Sequence, residues 1–436
     1  MTAAINKKLS ASLNELTATE IVAAINAGTT TCEAVVRACL DRIQLREPKV
    51  QAWQYLNRDQ VLGNAIALDQ SGRRGPLIGV PFGIKDIIDT ADMPTEYGSP
   101  IYKGNQPRNE AACVALTRKA GGILMGKTVT TEFANRHPGK THNPFDPERT
   151  PGGSSSGSAA AVGDHMVPLA IGTQTTGSTI RPASFCGAVG YRPTWGDLRC
   201  SGVREAAGSL DTLGLIARSI EDIALYREVL LGSATPQPIA EYAGKLRVGF
   251  CRTHLWNEVE PHTQQQLEAA AQQLAKSGIE VRDVELPADF SRLLDVHLAI
   301  SSYEFARNFT YEVEHHWERI SAALRENRLK SGLACSFERY KEACAFAADA
   351  RRRFAAMETE FDVLLTASAT GEAPVGLNWT GNANHCLIWT TLHVPSVTMP
   401  VFKGPHGLPV GAQVIGKANG DRALFAAARR IYHALA

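Results

Sequence analysis

The spacing of apolar residues changes character along this chain. Near the start it is helical. Thr19 to Ala27 reads as a helix closed by Gly28, and Thr30-Thr31-Cys32-Glu33 has the S/T-x-x-E form of a capping box. That box predicts a second helix to about Leu45, with Val35, Val36, Cys39, Leu40 and Ile43 on one face. Further on, the apolar residues gather into short unbroken runs. Leu77 to Lys85 reads as a buried strand ending at a charge, Ala111 to Ala120 as a helix, and Gly122 to Lys127 as a short strand. Ser219-Ile220-Glu221-Asp222 caps a helix to about Leu231. Leu246 to Phe250, a helix from about Pro261 to Lys276, and Ile279 to Val281 form a strand, helix, strand unit. Residues from about Ala288 to Met357 read as mostly helical, Phe361 to Thr366 as a buried strand, and about Arg422 to Leu435 as a closing helix.

One stretch breaks this pattern. Between Pro151 and Pro193, two clusters of glycine and hydroxyl residues, Gly152 to Ser158 and Gly172 to Thr179, alternate with apolar segments that need a core, Ala159 to Val162 and Val167 to Ile171. Glycine and serine usually make flexible linkers, but linkers do not alternate with core-forming segments. Glycine also permits φ > 0 and close approach of a ligand to the backbone. A turn of such residues can aim several N–H groups at one point beside a hydroxyl, which is the arrangement of an oxyanion hole. A serine there still requires a base to take its proton.

Composition narrows the partners. The 436 residues carry a formal net charge of +1 without a basic or acidic block, so neither nucleic acid nor an anionic membrane is expected. No segment is long and apolar enough to span a bilayer, and the opening residues, Met1 to Leu16, have no apolar leader run. The nine cysteines lack CxxC or metal spacing, which predicts free thiols in a reducing, cytoplasmic setting. No histidine pair has ligand spacing, so neither a metal nor a cofactor is expected. Gly121 and Gly126-Lys127-Thr128 satisfy a phosphate-loop pattern, but the strand lies inside the motif instead of before it.

The segments Gly152-Gly153-Ser154-Ser155-Ser156-Gly157-Ser158, Gly172 to Ser184 and Phe185 to Thr194 resemble, in order, the signature of the amidase signature family. Gly79-Val80-Pro81-Phe82-Gly83-Ile84-Lys85-Asp86 resembles the family's lysine segment. Gly126-Lys127-Thr128 with Glu132-Phe133 resembles another family segment, as do Val394 to Pro400 and Gly407 to Gly416. The resemblance implies one α/β domain over 1–436, with a mixed, twisted central sheet surrounded by helices. Within it fall N-terminal helices at about 13–45, a catalytic core at about 77–231, a substrate-shaping region at about 235–360 and a returning core at 361–436. It also implies Lys-Ser-Ser catalysis by Lys85, Ser154 and Ser178, a cis peptide bond at Ser154, and an oxyanion hole of backbone N–H groups from Thr175, Thr176, Gly177 and Ser178. The expected partner is a small-molecule amide and the expected assembly a homodimer. A lysine with an ordinary pKa of about 10.4 is no base at neutral pH. Lys85 must therefore be enclosed and partly neutral.

Three departures stand out: Gln174 where most relatives carry Asp, Thr176 where they carry Gly, and Arg181 one place later than usual. With Gly190 to Pro193 and Thr391 to Val397, these details resemble malonamidase-type members most. Arg181 is then either a fork for a substrate carboxylate or a structural ion pair. Gln174, Trp389 and His393 are further candidates for the pocket, the last two with packing as the competing role. The expected activity is a serine amidohydrolase acting on a small amide. The alternatives are a glutaminase-like subunit of a tRNA amidotransferase and a non-catalytic binding protein on the same scaffold.

Overall fold

A computed structural model describes residues 12–435, so most of the N-terminal segment read for a leader lies outside the described residues. Eleven strands form one mixed sheet. Across it run Trp53–Leu56, Ile123–Thr128, Pro81–Lys85, Leu169–Gln174, Thr212–Ala217, Val189–Arg192, Ser396–Lys403, Pro409–Ile415, Val363–Ala367, Arg247–Phe250 and Glu280–Asp283. Pro81–Lys85 pairs in parallel with both of its neighbours, and all five of its residues are buried. Strands covered on both faces read as continuous apolar runs, which is why this segment and Leu169–Gln174 show no alternation. Their side chains still divide between faces. Leu169 and Ile171 join a core with Phe82, Ile84 and Leu215, whereas Ala170 joins one with Ile216, Met125 and Val162.

The glycine- and serine-rich stretch is interior. Ser156–Gly163 is a helix buried along almost its whole length. A Cβ at Gly157 would lie 2.2 Å from Ala52 O, and one at Gly163 would lie 2.0 Å from Cys186 O. Small residues let this helix lie directly against neighbouring backbone. The linker reading is thereby excluded on steric grounds.

Several boundaries moved from expectation. The second helix runs Cys32–Val50 through Pro48, past the expected end at Leu45, with the proline's missing N–H falling in its last turn. Glu47 then caps the exit by accepting from the N–H groups of Ala52 and Trp53. The expected box between Thr30 and Glu33 is not formed. Thr31 is the N-cap, its hydroxyl accepting from Ala34 N–H, and Asp69 accepts from the N–H groups of Cys32 and Glu33. The capping box of the N-terminal region belongs instead to Thr17 and Glu20, at the head of Ala18–Asn26. Leu77 to Val80 is a turn with Gly79 at φ 71°, so the strand is limited to Pro81–Lys85. The strand, helix, strand unit is present as Arg247–Phe250, Pro261–Lys276 and Glu280–Asp283. Among the described residues no helix is long and apolar enough to cross a membrane, and all nine cysteines are unpaired.

Candidate active site

Lys85 ends the strand Pro81–Lys85 and is 0% exposed. Its Nζ lies 2.7 Å from Ser154 Oγ and 2.8 Å from Thr173 Oγ1. Burial lowers its pKa to about 7, against a smaller opposing pull from Asp211. Desolvation disfavours the ammonium, and among the described residues no carboxylate lies within ion-pair distance to restore it. The neighbouring buried lysine, Lys127, is held differently. It donates to Ile88 O and Thr95 Oγ1 and stands 3.6 Å from Asp86, fastening the loop after Lys85.

The peptide bond between Gly153 and Ser154 is cis. Of the serines that follow, only Ser154 meets the lysine. Ser155 Oγ donates to Thr173 O, Ser156 Oγ to Gly152 O, and Ser158 Oγ to Ile171 O. Ser154 and Ser178 open onto one cavity of about 940 Å³, and the N–H of Ser155 donates to Ser178 O. The two hydroxyls are not hydrogen-bonded to each other in this structure. Catalytic hydrogen bonds are commonly long without substrate and tighten in the complex.

The loop carrying Ser178 is clamped from both sides. Gln174 is fully buried, and its Oε1 accepts from the N–H groups of Thr179 and Ile180. Its Nε2 donates to Thr390 Oγ1, which in turn donates to Thr176 O. Thr175 Oγ1 donates to Asp211, and His297 Nε2 lies 2.9 Å from Thr175 O. Among the described residues, the N–H groups of Thr175, Thr176, Gly177 and Ser178 have no protein acceptor, which leaves them available to an oxyanion. Thr176 is accommodated, while a Cβ at Gly177 would sit 3.0 Å from Cys386 Cβ.

Of the four expected pocket residues, Arg181 alone lines the cavity. Gln174 holds backbone and does not line the cavity. Arg181 borders the cavity, but its guanidinium donates to Gly381 O, Gly153 O and Thr380 Oγ1. These acceptors are neutral, so Arg181 is not the structural ion pair weighed for it, and its buried Nε has no partner among the described residues. Trp389 is fully buried against Phe354 in a separate apolar core. His393 stacks on Trp195 at 4.6 Å, and its Nε2 lies 2.8 Å from Ser209 O. Burial holds its pKa down to about 3, so it is neutral and lies off the cavity wall.

Arg181→Ala is accordingly expected to cost about 3–5 kcal/mol of stability by orphaning buried carbonyls. Turnover of acidic and neutral amides should fall by similar factors. Denaturant unfolding and paired kinetics check both, and a loss confined to acidic amides would return Arg181 to a substrate-binding role.

Sequence reading missed Thr173, Asp211, His297 and Arg328. The last two lie in the helical region without motifs, on Leu293–Asn308 and on the turn Leu324–Leu329. No local signal marked them. Among the described residues no group of three or more His, Cys, Asp or Glu side chains could hold a metal ion.

Comparison with known proteins agrees with this architecture. Residues 34–425 match the family described as Amidase. Over 93% of this chain and 93% of the relative, it is 32% identical to one of the subunits of the Glutamyl-tRNA(Gln) amidotransferase of Chloroflexus aggregans. Among solved structures, a protein described as an amidase superposes with a TM-score of 0.88 at 28% identity, covering 97% of this chain and 100% of that one. The peptide amidase of Stenotrophomonas maltophilia gives 0.82 at 28% identity, covering 97% of each. With its sheet, the serine- and glycine-rich stretch and the lysine before it all in family order, this chain belongs to the amidase family and is an amidase-type enzyme.

Proposed function

We propose that the chain cleaves the C–N bond of a carboxamide through an ester formed on Ser178. Ser178 Oγ attacks the carbonyl carbon, and its proton passes through Ser154 Oγ to neutral Lys85. The oxyanion is held by N–H groups of the 175–178 turn. The same relay returns the proton to the departing nitrogen as the C–N bond breaks. Water then attacks the ester, releasing a carboxylic acid and restoring Ser178. The observation that carries this reading is the buried Lys85 Nζ, with a pKa of about 7, at 2.7 Å from Ser154 Oγ beside Ser178 on one cavity.

The nitrogen acceptor divides two readings. In one the chain is a free-standing amidohydrolase of small amides, acting as a homodimer. In the other it is a glutaminase-like subunit that passes ammonia to partner chains. The weight of relatives such as the Chloroflexus aggregans protein favours the second. The malonamidase-type likeness supports the first, with Arg181 on the cavity wall and its Nε unpartnered among the described residues. Ammonia release should be measured from malonamate, aryl, fatty and urea-derived amides and from glutamine, with and without co-purified chains. Release from small amides by the isolated chain supports the first reading, and glutamine-dependent release that needs a partner supports the second. No ammonia and no fluorophosphonate adduct in either arm refutes both.

A further inference from the structure

The sheet register brings a carboxylate to the back of the turn that carries Ser178. Leu169–Gln174 pairs antiparallel with Thr212–Ala217, with Thr173 opposite Leu213 and Gln174 opposite Thr212. One step beyond that ladder Thr175 stands opposite Asp211, and Thr175 Oγ1 donates to Asp211 Oδ1. Thr173, two residues before Thr175, shares its face of the strand, and the Thr173 hydroxyl lies 2.8 Å from Lys85 Nζ. Asp211 is therefore bonded to the first residue of the oxyanion turn and stands one residue pair away from the partner of the lysine.

Substrate does not meet this carboxylate. Asp211 is absent from the wall of the cavity onto which Ser154 and Ser178 open. It lies instead on a second cavity of about 280 Å³, with Thr173, Thr175, Trp195 and Cys200. Its Oδ2 is held by the N–H groups of Ala206 and Ala207. On the far side of Thr175, His297 Nε2 lies 2.9 Å from Thr175 O. Burial lowers the His297 pKa to about 3, so the ring is neutral and donates to that carbonyl. Thr390 Oγ1 donates to the next carbonyl, Thr176 O. Because each peptide unit is planar, fixing these two carbonyls fixes the N–H groups of Thr176 and Gly177, and Asp211 anchors the side chain from which the turn begins.

We infer that Asp211 is a positioning residue for the reaction, anchoring the oxyanion turn through the Thr175 hydroxyl and presenting its negative charge to Lys85 from the second cavity. This rests on the hydrolytic reading above. Burial raises the Asp211 pKa to about 6, the bonds from Thr175, Ala207 and Ala206 opposing it and Glu205 adding to it, so the group is ionised at neutral pH. Its charge favours the Lys85 ammonium against the larger effect of burial. Arg328 and Cys200 also feel that charge, and Arg199 and Arg204 stand on the same cavity wall.

Two variants separate the charge from the tie. Asp211→Asn keeps the shape, its amide accepting from Ala206 and Ala207 and donating to Thr175 Oγ1, but carries no charge. Thr175→Val keeps the charge and cuts the tie. Lys85 is titrated by NMR with ¹³C-labelled lysine, Lys85→Met supplying the assignment, and kcat and KM are followed against pH. Removing a negative charge disfavours the ammonium, so Asp211→Asn should move the Lys85 titration, and the acid limb of kcat/KM with it, down by about 0.5 pH unit or more. Thr175→Val should lower kcat by roughly 10- to 100-fold with little change in KM, and Thr175→Ser should recover most of that loss.

A Lys85 titration unmoved in Asp211→Asn overturns the inference. Wild-type kcat in Thr175→Val also overturns it, whether or not Asp211→Asn folds. If the wild type neither releases ammonia nor takes up a fluorophosphonate, yet the Lys85 titration moves in Asp211→Asn, the hydrolytic reading fails and the coupling of Asp211 to Lys85 stands.

Discussion

Ser178→Ala is expected to reduce ammonia release by on the order of 10⁴-fold or more, because it removes the hydroxyl proposed to form the ester intermediate. The fold should survive. Ser178 is 9% exposed and its backbone contributions, the carbonyl bonded by Ser155 N–H among them, are kept by alanine. The variant should therefore unfold with the wild type yet take up no fluorophosphonate. Ser154→Ala provides the contrast. It should depress turnover strongly while leaving some slow labelling, since the nucleophile is present but its proton route is cut. Residual activity of Ser178→Ala above about one hundredth of wild type would place the nucleophile elsewhere.

The second large effect concerns Lys85. Lys85→Met should lower kcat/KM by roughly 10²- to 10⁴-fold, the range that a positioned general base contributes. Lys85→Arg should fare no better, since a guanidinium keeps its proton. In the wild type, kcat/KM should rise with pH through about 7 as the lysine loses its proton, and that limb should vanish in both variants.

Replacing Lys85 should change stability in the opposite sense to activity. The folded-state pKa of Lys85 lies below its unfolded value, so the unfolded chain binds more protons between about pH 7 and 10. Its stability cost is complete below the folded pKa and fades as pH rises towards the unfolded one. Lys85→Met should thus raise Tm most at pH 7 and below, and least near pH 10. A Tm difference independent of pH would mean that the lysine is charged in the fold.

What the sequence disclosed depended on how local the information was. Lys85, Ser154 and Ser178 sit in contiguous motifs whose residue types carry chemistry by themselves. The direction in which a side chain faces is not local. Gln174 and Arg181 lie four residues before and three after Ser178 and share its motif, yet both turn to backbone from Thr179, Ile180, Gly153 and Gly381. His393 and Trp389 failed for the same reason, since only packing distinguishes a pocket wall from a core.

His297 and Arg328 illustrate the converse. Each is one polar residue in a helical stretch of ordinary appearance, brought to the cavity by tertiary contacts that no spacing rule encodes. Of the strands not read from periodicity, Trp53–Leu56, Val189–Arg192 and Thr212–Ala217 are short. Two of them are wholly buried, so they lack the alternation that would announce them.

The order of strands has a consequence for how the molecule comes into being. Ser396–Lys403 and Pro409–Ile415, synthesised after the other nine strands, occupy the middle of the sheet between Val189–Arg192 and Val363–Ala367. Thr390, which ties down the loop before Ser178, is also made late. A nascent chain that stops short of residue 396 would hold Lys85, Ser154 and Ser178 yet lack the middle of its sheet, its unfinished edges exposed to chaperones.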